Sequence, residues 1–109
     1  LLRAVLREKK GQLEAAITDY NFLIRREPNN AGLYNSRGLV QLKNGKAEQA
    51  LQDYNRALEL NPNYAEVFYR RSKLYFQYQQ FGKAKKDAER AINLGYPVPE
   101  HYLRQLDEN

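Results

Sequence analysis

The 109 residues include no Cys, no Met, no Trp and a single His. Without Cys, disulfides and thiolate chemistry are excluded, and the redox compartment stays open. His101 on its own cannot assemble a zinc site or a Cys–His nucleophile pair. Long apolar runs are missing as well: nothing approaches the roughly 18 consecutive apolar residues of a membrane span, and no leader pattern is visible. There is no Gly-rich phosphate loop, and Ser36 and Ser72 have no base near them in sequence. An enzyme needs a nucleophile, an acid–base pair or a metal set. The expectation is therefore no catalysis, no cofactor and no metal. The lack of Met, with a start at Leu1-Leu2-Arg3, reads as a piece of a longer protein.

What is present is a period. Ala16, Ala50 and Ala84 are 34 residues apart, as are Asp19, Asp53 and Asp87, and the same step relates Pro28 to Pro62, Gly11 to Gly45 and Tyr20 to Tyr54. A fixed period of this length signals stacked units, each packing on its neighbours, rather than a closed globule. The expected organisation is one domain over 1–109: a partial first repeat at 1–30, a second at 31–64, a third at 65–98 and a C-terminal capping helix at 99–109.

Each period holds two helical patterns and a short turn. Helices are expected at about 1–10, 12–26, 31–44, 47–60, 64–78, 81–94 and 100–107. Gly45 and Gly95 suit the left-handed conformation that ends a helix. Pro62, Pro97 and Pro99 cannot continue one, because proline lacks the N–H and its ring clashes with the preceding turn. Asn63, with Glu66 three residues on, looks like an N-cap and its capping-box partner. Ala50 and Ala57, and a period later Ala84 and Ala91, let paired helices approach closely. The fold class is all-α: antiparallel helix-turn-helix repeats stacked as a right-handed superhelical solenoid.

These residues resemble the tetratricopeptide repeat, whose pattern is Trp-x2-Leu-Gly-x2-Tyr followed by Ala-x3-Phe and Pro. Tyr34, Gly38, Ala50, Tyr54 and Pro62 stand at the Trp, Gly, Ala, Phe and Pro places; Phe68, Ser72, Tyr75 and Ala84 fill matching places a repeat later. Arg37 and Arg71 replace the Leu, Gln41 the Tyr, and Ala88 the large aromatic. The resemblance implies a non-catalytic protein–protein interaction module that takes a peptide or partner helix on its concave face. The alternative is a structural segment of a longer solenoid whose main groove lies elsewhere.

Candidate partner-binding residues follow from a surplus on the helix at 64–78. Phe68, Ser72 and Tyr75 suffice for a core stripe. Tyr69, Lys73, Phe76 and Gln77 form a second stripe, with Arg70 beside it, and the resemblance places that stripe on the groove. The same offset of 34 adds Asn35, Ser36, Leu39 and Lys43. The candidate site is thus Asn35, Leu39, Lys43, Tyr69, Arg70, Lys73 and Phe76. Rings beside cations bury well against a peptide carrying acidic residues. The competing reading is that Tyr69 and Phe76 simply cover an adjacent helix.

Some members of that family grip acidic chaperone tails with a clamp of two Lys, two Asn and an Arg. Here Leu1, Val5, Ser36 and Glu66 occupy four of those places and only Arg70 matches, so such a clamp is disfavoured. Net charge is +5, with seven Lys or Arg against three Asp or Glu in residues 65–94. That field favours acidic partners. Nucleic acid is the weaker reading, resting on Arg70, Arg71, Lys73, Lys83, Lys85 and Lys86. Self-association stays open, and a cytoplasmic location is only a default. Asp19, Asp53 and Asp87 are expected to be surface or inter-repeat ion-pair partners.

Overall fold

The computed structural model describes all of residues 1–109 and is entirely helical. Seven helices run in order: α1 (Leu2–Lys9), α2 (Leu13–Arg26), α3 (Ala31–Lys43), α4 (Ala47–Leu60), α5 (Ala65–Gln77), α6 (Phe81–Asn93) and α7 (Glu100–Asp107). They gather into two compact units, Leu1–Pro62 and Asn63–Asn109, whose border falls on a repeat boundary. No helix is long and apolar enough to cross a membrane.

In the first unit, α1 packs on α2, α2 on α3, and α3 on α4. Ala4, Ala16, Ile17, Tyr20, Ile24, Leu33 and Val40 form one buried cluster. On α4, Ala50, Tyr54 and Ala57 are wholly buried, as their seven-residue spacing on one helix face leads one to expect. Gly38 explains how close α3 and α4 come. A Cβ added there would lie 2.8 Å from Tyr54 Cε1 and 3.2 Å from Asp53 Cβ. Glycine inside a helix costs about 1 kcal/mol relative to alanine, and at this position the close approach offsets it.

In the second unit, α5 pairs with α6, and α7 packs on α6. Ala84, Ala88, Tyr102 and Leu106 form the buried cluster, with Tyr69, Tyr75, Phe76, Val98 and Leu103 packed against it. The α5/α6 pair repeats the α3/α4 pair with one exchange. Ser72 stands where Gly38 stood and Ala88 where Tyr54 stood, so α6 has no ring at that place. Tyr102, from α7, takes part in the cluster instead.

The turns are near copies. Lys46 N–H bonds to the Gln41 carbonyl at 2.8 Å and Gly45 N–H to Leu42 at 3.1 Å. The pair is the two-bond closure that satisfies carbonyls left over at a helix end. Gln12 to Arg7 and Gln80 to Tyr75 repeat the longer bond at 2.8 and 2.9 Å. Gly11 and Gly45 adopt φ of 77° and 78°, and at the third copy Gln79 takes φ 60°. The N-cap of α5 falls one residue after the expected Asn63. Tyr64 is its N-cap residue, with no side-chain cap bond. Glu66 bonds instead to Arg70, because a charged guanidinium one turn along outcompetes a backbone amide.

Candidate functional site

The first helix of each pair carries the candidate residues. On α3, Asn35 is buried, Leu39 half-buried and Lys43 exposed. Lys43 Nζ donates to Glu8 Oε2 on α1 at 2.7 Å. On α5, Arg70 is clasped by Glu66: its Nε and Nη2 both donate to Oε2, at 3.0 and 2.6 Å. The Lys73 ammonium lies 4.5 Å from the centre of the Tyr69 ring. Partial burial, then the nearby Arg70 charge, lowers the Lys73 pKa below the ordinary lysine value. Both effects disfavour an added cation. The charge of a partner carboxylate would offset both.

Tyr69 and Phe76 have neighbours of their own. The Tyr69 ring sits 5.2 Å from that of Tyr96 and edge-on to Tyr102 at 5.8 Å. Phe76 meets Phe81 at 5.2 Å and Tyr102 at 5.8 Å, both edge-on. These are the offset and edge geometries that the ring quadrupole favours. The aromatic surplus of α5 therefore receives the C-terminal helix, with Tyr102 touching both rings. Covering an adjacent helix is a role these two side chains perform in the second unit. Tyr69 is half-buried and keeps a surface that Lys73 overlies.

The periodic aspartates turn out differently from the surface or inter-repeat role expected. Asp19, Asp53 and Asp87 are 6%, 4% and 1% exposed. Each bridges the two helices of its own repeat. Arg37 forks onto Asp53 with bonds of 2.9 and 2.7 Å, and Arg71 onto Asp87 with 2.7 and 2.9 Å. Asp19 takes Arg3 at 2.9 Å and Arg7 at 3.0 Å. The signal was available: Arg3, Arg37 and Arg71 also step by 34, sixteen residues before each Asp. Thus Arg at the family's Leu place is one half of a buried pair. The arginines also lie over rings, Arg37 on Tyr34 and Arg71 on Phe68 and Tyr75. At Arg71, burial opposes the charge, but the hydrogen bonds and charge of Asp87 outweigh it and raise its pKa.

No three His, Cys, Asp or Glu side chains come together in a way that could hold a metal ion. Each unit carries a shallow cleft. One lies against Leu1, Ala4, Phe22 and Leu23, the other against Ala88, Ile92, Leu103 and Leu106. Charged side chains line both as well, Arg3 and Asp19 in the first and Lys85, Glu89 and Asp107 in the second.

Models of the tetratricopeptide repeat match residues 31–64 and 65–94, and a further model, described as TPR repeat, matches 8–45. Solved structures agree. The second TPR of Spaghetti (RPAP3), bound to the HSP90 peptide SRMEEVD, is 32% identical, with TM-score 0.80 over 84% of this chain and 85% of that one. The chain belongs to the tetratricopeptide repeat family. The first TPR of Spaghetti (RPAP3), with the same peptide, is 28% identical and matches at TM-score 0.89 over 97% of this chain and 86% of that one. The second TPR domain of human RPAP3, in complex with the HSP70 peptide SGPTIEEVD, is 29% identical, with TM-score 0.83 over 97% and 88%. No curated protein sequence matches. The fold is thus the all-helical repeat solenoid of these interaction domains.

Proposed function

We propose that this tetratricopeptide array is a non-catalytic interaction module that binds an extended peptide or partner helix on the faces of its first helices, α3 and α5. The carrying observation is the likeness to domains solved with acidic chaperone peptides on the same fold. Lys73, exposed and backed by the Tyr69 ring, supports an acidic contact. Asn35, Leu39, Lys43, Arg70 and Phe76 complete the proposed faces. Asn35, which is buried, does so chiefly as support. A nuclear magnetic resonance titration with the SRMEEVD peptide tests this reading. Shifts should concentrate on exposed residues of α3 and α5, and Lys73→Glu should weaken binding in a salt-sensitive way, whereas Lys85→Glu on α6 should do little. Shifts confined to α4 and α6, or none at all, would defeat it.

One observation favours a second reading, in which the α1 end stacks on another helix. Leu6 is 48% exposed, while its period mates Val40 and Leu74 are 0% and 1% exposed. Leu2 on the same helix is 73% exposed. Val40 lies in the cluster that α2 covers, so a helix of the α2 type is the matching cover for Leu6. Sedimentation should then reveal self-association that a Leu2→Lys, Leu6→Lys double variant abolishes. A strictly monomeric parent chain would remove self-stacking from consideration.

A further inference from the structure

On the first helix of its last pair, the protein has already balanced one of its two cations. Glu66 Oε2 accepts from both Arg70 nitrogens, so Arg70 and Glu66 together present almost no net charge. The other oxygen of Glu66, Oε1, makes no hydrogen bond, and the side chain is 37% exposed. Lys73 forms no ion pair and rests on the Tyr69 ring. The first unit follows the same habit, with Lys43 balanced by Glu8 at 2.7 Å. An incoming acid aimed at Arg70 would therefore meet Glu66 at a similar distance, and like charges repel there. An acid aimed at Lys73 meets no such opposition.

We propose that Glu66 sets the charge specificity of the α5 face, which favours a segment with one acidic residue for Lys73 and a hydrogen-bond donor or cation for Glu66, and binds runs of successive acids more weakly. This deepens the peptide-binding reading and rests on it. The geometry also sets a spacing. Glu66 and Lys73 are seven residues apart, two helical turns on one face, or about 10 Å along the axis at 1.5 Å per residue. An extended chain advances about 3.3 Å per residue. The acid and the donor of the partner are therefore about three residues apart.

Two labelled peptides test the proposal by fluorescence anisotropy at low salt. One is SRMEEVD with its free carboxyl terminus. The other is SRMQEVN-amide, which has a single acid three residues after its arginine. The wild-type protein should bind the second more tightly, by about fivefold, the scale of one partly exposed charge contact. Glu66→Gln should strengthen SRMEEVD by a similar factor and erase the preference, and Lys73→Gln should weaken both peptides. Raising the salt should shrink the preference, since exposed charges are screened. A wild-type preference for SRMEEVD, or the same ratio in Glu66→Gln as in wild type, would overturn the role of Glu66 while leaving peptide binding intact. If neither peptide binds any variant, the peptide-binding reading falls and this inference with it.

Discussion

Ser72 and Tyr102 meet through their side-chain oxygens at 2.7 Å, deep in the second unit. Ser72 Oγ also donates to the Ala84 carbonyl at 2.7 Å. A serine hydroxyl has one proton, so the phenol of Tyr102 donates and Ser72 accepts. The contact answers a substitution in the repeat. Where the second repeat sets Gly38 against Tyr54, the third sets Ser72 opposite Ala88, and α7 brings in the aromatic together with its hydrogen bond. The capping helix is therefore keyed to this pair of helices.

Removing that key should be measurable. Tyr102→Phe keeps the ring contacts with Tyr69 and Phe76 but loses the donor, at a cost of about 1 kcal/mol. Tyr102→Ala should cost about 3–5 kcal/mol and loosen α7. Denaturant unfolding of both variants checks the ranking, and equal losses would contradict it.

Gly38→Ala should destabilise by about 1–3 kcal/mol, because its Cβ would lie 2.8 Å from Tyr54 Cε1. Ala50→Leu, at a wholly buried position, should cost a similar amount. Combining Gly38→Ala with Tyr54→Ala should be less harmful than the sum of the single changes. Thermal melts of the four variants decide this.

Asp87→Ala removes the carboxylate onto which Arg71 forks, at a side chain only 16% exposed, and should cost about 3–5 kcal/mol. Glu100→Ala breaks a pair whose two side chains are 72% and 79% exposed, and should change stability by less than about 1 kcal/mol. Similar losses from both substitutions would show that burial is not what gives the repeat pair its strength.

Gln79 is the one non-glycine residue with positive φ. Gln79→Gly should stabilise the protein by up to about 1 kcal/mol: about 1–2 kcal/mol of left-handed strain is relieved against the larger entropy that glycine loses on folding. A calorimetric melting temperature at or below that of the parent would show that the turn tolerates Gln79 without strain.

Alkaline pH should unfold the array through its tyrosines. Burial raises the pKa of Tyr20, Tyr69 and Tyr102, with smaller contributions from their neighbours. A raised folded-state pKa means that the folded state holds the proton more firmly. The stability this provides is complete below the unfolded phenol value of about 10, and is lost as pH climbs through the higher folded values. Lys73, lowered by burial and by Arg70, acts in the opposite sense just below its ordinary value. Unfolding followed from pH 9 upward should show a steady loss that Tyr102→Phe reduces.

The helices and the family were legible in the chain because both rest on local, repeated requirements. A 34-residue period, small residues at fixed spacing, glycine after a helix and proline beyond it each act within a few residues of themselves. The observed helices accordingly fall within one or two residues of the expected ones. The aspartate–arginine pairing was written there as well, as two interleaved 34-residue series, but it takes the antiparallel packing of each pair to bring residues sixteen apart into contact. Other features belonged to tertiary structure alone. Nothing local told that Tyr69 and Phe76 would meet the chain's own last helix, where Tyr102 supplies the ring that Ala88 lacks. Nor did spacing reveal that Glu66 would clasp Arg70 rather than cap α5. That choice depends on which donor the carboxylate reaches once the helix is formed, and a charged guanidinium on the same face binds it more strongly than a terminal amide.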